Sequence, residues 1–144
     1  MNVKRILATK GTNVITIRPE QTIKEAVRLL ARHNIGAVVV VGEDGKVAGI
    51  LSERDVIRRA AQRDDVLRLK VEDVMTHDVI TAMPQDDLRS IANTMTQHRF
   101  RHLPIVDGDR LVGMVSVTDV IKAERDAYRG EVDTLQTQML GEEE

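Results

Sequence analysis

The sequence predicts an α/β (α+β) fold built from two copies of one small unit, packed about a pseudo-two-fold axis with small sheets flanked by helices. Two observations predict it. Val14-Ile15-Thr16-Ile17-Arg18-Pro19 recurs as Val79-Ile80-Thr81-Ala82-Met83-Pro84, and Gly49-Ile50-Leu51-Ser52-Glu53-Arg54-Asp55-Val56-Ile57 recurs as Gly113-Met114-Val115-Ser116-Val117-Thr118-Asp119-Val120-Ile121. The offset falls by one residue between these blocks, in the turn where Glu43-Asp44-Gly45 faces Gly108-Asp109. Hairpin loops tolerate that change.

Each copy reads in the same order. A short β-rich run ends at Pro19 or Pro84. An amphipathic helix follows, with Ile23, Ala26, Val27 and Leu30 on one face in the first copy and Leu88, Ile91 and Met95 in the second. Thr22 and Asp86 are the expected N-caps. Two strands come next, Ala37 to Val41 with Val47 to Leu51, and Leu103 to Val106 with Leu111 to Val115. The nearly unbroken apolar runs at 37–41 and 103–106 suit strands covered on both faces. A second helix starts at Ser52 or Ser116, giving β-α-β-β-α twice. Neither copy has enough chain to cover its own sheet, so the two are expected to pack together.

The flanking segments complete the plan: residues 2–63 form the first repeat, 64–70 a polar connector, 71–127 the second repeat and 128–144 a helical extension and tail. Val71 to Met75 reads as a short helical turn leading into repeat two, with Val3 to Ala8 as its counterpart before repeat one. Ile121, Tyr128, Val132, Leu135 and Met139 fall at heptad-like spacing in the extension.

Composition excludes several classes of function. Of 144 residues, 42% are hydrophobic, but the only aromatic rings among Phe, Trp and Tyr are Phe100 and Tyr128, so the core is aliphatic and a base-stacking surface for single strands is lacking. A formal charge of −2 gives no broad basic face for a nucleic-acid backbone. Without cysteine there is no disulfide, thiol catalysis or thiolate metal site. Four scattered histidines make no ligand set. No nucleophile–base pair and no Gly-rich phosphate loop occurs, so no catalytic residue and no catalytic cofactor is expected. With no bilayer-length apolar run and no signal-like start, a cytoplasmic location is the expectation.

The doubled order, with Gly-hydrophobic-hydrophobic-Ser-x-x-Asp after each last strand, resembles the cystathionine β-synthase (CBS) domain; two copies in one chain are similar to a Bateman module, and the likeness covers about residues 2 to 125. Ser52-Glu53-Arg54-Asp55 and Arg101-His102-Leu103-Pro104-Ile105-Val106-Asp107 resemble small bacterial stand-alone CBS pairs. The resemblance implies a regulatory protein that binds an adenosine nucleotide (AMP, ADP, ATP or NAD) in clefts between the repeats and signals occupancy to a partner protein. It implies a homodimer as well. A dimerising module without ligand, and, less favoured, a nucleic-acid-binding regulator, stay open beside it.

Ser116-Val117-Thr118-Asp119 fits a capping box, Ser116 capping and Asp119 reaching back. The same helix start suits a phosphate, and a carboxylate offers acceptors for both hydroxyls of a ribose. The two readings coexist. By the resemblance, Ser116, Thr118, Asp119 and Met114 share a cleft with Lys10, Asn13 and Ile15, completed by Ile35, Gly36, Arg101 and His102. The other cleft takes Ile50, Ser52, Arg54 and Asp55 facing Thr76, His77, Val79 and Ile80, with Arg99 and Phe100 nearby. Arg54 stands where Thr118 stands, and a guanidinium there favours a ligand with more than one phosphate, although a solvated first-turn arginine is the plainer reading. The exposed apolar residues of the second helices (Val56, Ile57, Ala60, Ala61, Val120, Ile121 and Ala123) give an independent reason to expect a dimer.

Overall fold

The computed structural model describes residues 1–11 and 13–143, with side chains described up to residue 130. The first repeat runs α1 (Val3–Lys10), β1 (Thr16–Ile17), α2 (Ile23–His33), β2 (Ala37–Val41), β3 (Val47–Ser52) and α3 (Glu53–Ala60). The second runs α4 (Val71–Val74), α5 (Leu88–His98), β4 (His102–Asp107), β5 (Arg110–Ser116) and α6 (Val117–Glu143). β1 pairs in parallel with β2, and β2 pairs antiparallel with β3. β4 and β5 form an antiparallel pair.

One expected strand is reduced. The run ending at Pro84 contributes a single parallel bridge, Ala82 to Ile105, rather than a strand. Pro104 occupies the place of Val39, the partner of Thr16 in the first sheet. Proline has no N–H to donate, so the parallel ladder cannot extend at that position.

Helix starts follow local chemistry. Thr22 caps α2 by accepting the Glu25 N–H at 3.2 Å. In the second repeat the cap is Asp87, which accepts the Arg89 N–H at 3.1 Å; Asp86, the residue expected there, instead accepts the Met83 N–H at 2.8 Å. Asp86 thus does the work of Gln21, whose amide oxygen accepts the Arg18 N–H. Either acidic residue can cap, and the turn after Pro84 decides between them.

The lead-in helices are exchanged. α4 packs on the first repeat: the Val71 N–H donates to the Gln21 carbonyl and the Glu72 N–H to that of Pro19. α1 packs on the second repeat: the Val3 N–H donates to the Asp86 carbonyl and the Lys4 N–H to that of Pro84. The bridges Thr22–Lys70 and Asn2–Asp87 are likewise counterparts, as expected for a pseudo-two-fold pair. One apolar core therefore holds Ile23, Leu30, Val38 and Leu51 together with Val71, Val74 and Met75; the other holds Leu88, Ile91, Leu103 and Val115 together with Val3, Ile6 and Leu7. Each such buried aliphatic chain contributes roughly 1.5–3 kcal/mol, so neither half closes its core alone.

Gly49 and Gly113 permit the exchange. A Cβ on Gly49 would lie 2.8 Å from the Thr76 carbonyl oxygen, and one on Gly113 would collide with the Leu7 side chain. The connector is less free than its polarity suggests. It forms a 3-10 turn over Val66–Arg68, and Val66 is buried in the first core. The apolar set on the second helices is also partly internal. Val120 is buried, and Val56 and Ala123 pack on the two cores, because they face the sheets; Ile57 (65% exposed) and Ile121 (56%) face outward. Tyr128 is exposed, while Val132, Leu135 and Met139 lie outside the described side chains. Among the described residues no helix is long and apolar enough to cross a membrane.

Candidate functional site

The hairpin β2–β3 hands the chain to α3 at Ser52, in extended backbone. Ser52 Oγ accepts the Asp55 N–H at 3.2 Å, and Asp55 Oδ2 accepts the Ser52 N–H at 2.9 Å. The Glu53 N–H donates to the Gly36 carbonyl. The capping box therefore forms, and it holds the Asp55 carboxylate rigidly at the helix start with Oδ1 unbonded among the described residues.

This helix start opens into a cleft of about 400 Å³ between the repeats, a size that suits a small organic ligand. One wall is Gly36, Ile50, Ser52, Arg54 and Asp55; the other is Thr76, Val79, Ile80, Arg99, Phe100, Arg101 and His102. Of the residues expected here, only His77 is missing from the lining; it is exposed, and its neighbour Asp78 lines the cleft instead. Gly36, Arg101 and His102, expected beside Ser116, line the Ser52 cleft. Their strands β2 and β4 start at its floor, where Ala37 and Pro104 also lie.

Several lining residues had weak sequence signals. Arg58 sits one turn beyond Arg54 on α3, a spacing that puts both on one face. His98, at the end of α5, stacks on Phe100 with ring centroids 5.7 Å apart. Glu53 was hidden inside the capping motif. The guanidiniums of Arg54, Arg58, Arg99 and Arg101 make no hydrogen bond or ion pair to the described residues, so the cleft carries cationic donors facing solvent. Burial, with the positive charges of Lys10 and Arg101 close by, pushes the His102 imidazole below the usual histidine range.

The second helix start is built alike. Ser116 Oγ accepts the Asp119 N–H at 3.2 Å, and Asp119 Oδ2 accepts the Ser116 N–H at 2.8 Å. Here Lys10 intervenes: its ammonium donates to Asp119 Oδ2 at 2.7 Å and to the Met114 carbonyl at 2.8 Å. Burial raises the Asp119 carboxyl, but the bonds from Lys10 and Ser116 outweigh it and hold the group below the usual carboxylate range. Lys10, Met114, Ser116 and Asp119 thus come together. Thr118 and Asn13 are exposed, while Ile15 and Ile35 pack against the first core. Among the described residues, no group of His, Cys, Asp and Glu could hold a metal ion.

The geometry agrees with known proteins. The CBS-domain family profile matches residues 3–62 and 71–126. The chain is 38% identical over 112 residues to the CBS domain-containing protein YhcV of Bacillus subtilis, covering 78% of this chain and 79% of that one. The CBS-domain protein ATU1752 of Agrobacterium tumefaciens superposes with a TM-score of 0.83 at 38% identity, over 86% of this chain and 99% of that one. Two similar structures hold adenosine-derived ligands. The CBS pair of MJ0100 is complexed with 5′-methylthioadenosine and S-adenosyl-L-methionine (TM-score 0.77, 30% identity, 88% of this chain and 98% of that one). PAE2072 of Pyrobaculum aerophilum is complexed with AMP (TM-score 0.75, 26% identity, 83% and 89%). Two matched repeats, each closing on the same Ser-x-x-Asp helix start, place this chain in the CBS-domain family as a tandem pair.

Proposed function

We propose that the chain is a non-catalytic regulatory module of the cytoplasm that takes an adenosine nucleotide into the Ser52 cleft and signals its occupancy to a partner protein. The observation that carries this is the cleft itself: a fixed carboxylate and unpaired guanidiniums converge there from both repeats. In this reading Asp55 accepts the ribose hydroxyls. The phosphates meet the α3 N-terminus, Arg54 and Arg99, and Arg54 favours ADP, ATP or NAD over AMP through its bidentate fork. Ile50, Val79 and Ile80 supply apolar wall for the base. The AMP complex of PAE2072 supports the ligand class.

Because a ligand of the native state raises the melting temperature, a thermal-shift panel of AMP, ADP, ATP, NAD and S-adenosylmethionine tests the reading. No shift with any of them sinks it. Asp55→Ala is expected to cost about 1–3 kcal/mol of nucleotide binding by calorimetry, the scale of hydrogen bonds to a charged group. We further propose a homodimer through the outer faces of α3 and α6, where Ile57 and Ile121 stand exposed.

A further inference from the structure

The two helix starts are alike in their capping boxes and unlike in what reaches their carboxylates. Asp55 Oδ2 accepts one donor, the Ser52 N–H. Asp119 Oδ2 accepts two, the Ser116 N–H and the Lys10 ammonium. A carboxylate oxygen has two lone pairs, so this oxygen of Asp119 is saturated. A vicinal diol that needs both oxygens can bind only when Lys10 withdraws.

Chain length explains the difference. Leu7 and Met75 occupy equivalent places, against Gly113 and Gly49. From Leu7 the chain takes Ala8 to Asn13 to reach Val14; from Met75 it takes only Thr76 to Asp78 to reach Val79. The longer stretch extends α1 to Lys10 and carries its ammonium over β5 to the start of α6. The first cleft has no counterpart of this arm.

We propose that Lys10 is an occupancy-setting latch on the Ser116 helix start: it competes with a nucleoside's ribose hydroxyls for Asp119 and leaves the Ser52 cleft as the tighter of two unequal sites. This rests on the nucleotide-binding reading above and reverses the role expected of Lys10, from ligand contact to competitor. Both partners are partly exposed, at 43% and 22%. An ion pair of that exposure is weak, so the latch tunes affinity rather than blocking the site. A closed fraction of about nine-tenths weakens apparent affinity about tenfold.

Calorimetric titration of AMP into Asp55→Ala and into Lys10→Met/Asp55→Ala tests the latch apart from the first cleft. The double variant is expected to bind AMP about three- to tenfold tighter than Asp55→Ala, the range set by a half-exposed ion pair and one further hydrogen bond. Lys10→Arg/Asp55→Ala keeps the cation and is expected to match Asp55→Ala. Equal or weaker binding in the Lys10→Met variant overturns the latch, as does an equal gain in the Lys10→Arg variant. Thermal melts of all three report that they are folded. Wild type against Asp55→Ala judges the Ser52 cleft by itself, so the two ideas fail separately.

Discussion

Arg99 and Asn34 occupy the same place in the two repeats, each ending its helix in the left-handed region, at φ 59° and 51°. Asparagine tolerates that conformation, whereas a long side chain adopts it at a cost of roughly 1 kcal/mol. Arg99 lines the cleft and Asn34 does not, so the strain sits with the proposed phosphate contact. Arg99→Asn is expected to stabilise the fold by about 0.5–1 kcal/mol in urea unfolding while weakening nucleotide binding. Equal loss of stability and binding would remove Arg99 from the site's chemistry.

Gly49→Ala and Gly113→Ala probe the exchanged helices. The first sets a methyl group against a carbonyl oxygen, which cannot move without shifting α4; the second meets a leucine side chain, which can rotate. Overpacking of this kind costs about 1–3 kcal/mol. Gly49→Ala is expected near the upper end and Gly113→Ala near the lower. The reverse order in denaturant midpoints would contradict the packing described.

His102 sets a pH dependence. Its folded-state pKa lies below the ordinary histidine value, so the unfolded chain binds more protons across that interval. Its contribution is fully present above about pH 6.5 and is lost as pH falls through the lowered folded value. The melting temperature of the protein is expected to drop between pH 7 and 5, and to drop less in His102→Asn. Parallel curves for the two proteins would show that His102 is not the group responsible.

Ile57→Glu with Ile121→Glu tests the proposed dimer. Two buried charges without partners disfavour an interface strongly while leaving the monomer's cores untouched, since both side chains face outward. Sedimentation at micromolar concentration is expected to change from dimer to monomer. A monomeric wild type, with and without nucleotide, rejects the interface.

The repeated motifs made the strands, the helix faces and both capping boxes legible, because each depends on residues close together in sequence. Ser52 and Asp55 are three residues apart, and their bonds follow from that spacing. What escaped depends on separation in space. The resemblance put Lys10 in one cleft with Asp119, but nothing near Lys10 announces that its ammonium bonds that carboxylate, 109 residues away. Gly36 and His102 also line the Ser52 cleft, which was not legible, because the strand starts at the floor of the molecule border both halves: a Cβ on Gly36 would lie 3.3 Å from the His102 ring, and His102 feels the charges of Lys10 and Asp119 as well as Glu53. The missing strand before Pro84 was hidden by its likeness to the run before Pro19; the decisive residue was Pro104, on the neighbouring strand.

The exchange of α1 and α4 also determines where the chain can be cut. A fragment ending at Arg63 carries α1 but lacks the β5 surface on which Leu7 rests, and it lacks Val71, Val74 and Met75 to finish its own core. Such a half has an orphaned helix and a vacant groove. The two halves are therefore one cooperative unit of folding, completed only when residue 3 has found residue 86. During synthesis the first helix must wait, undocked, until most of the second repeat has left the ribosome. A gene encoding one repeat alone would have to supply the missing helix from a second molecule, so division of this protein would yield an intertwined pair rather than a smaller monomer.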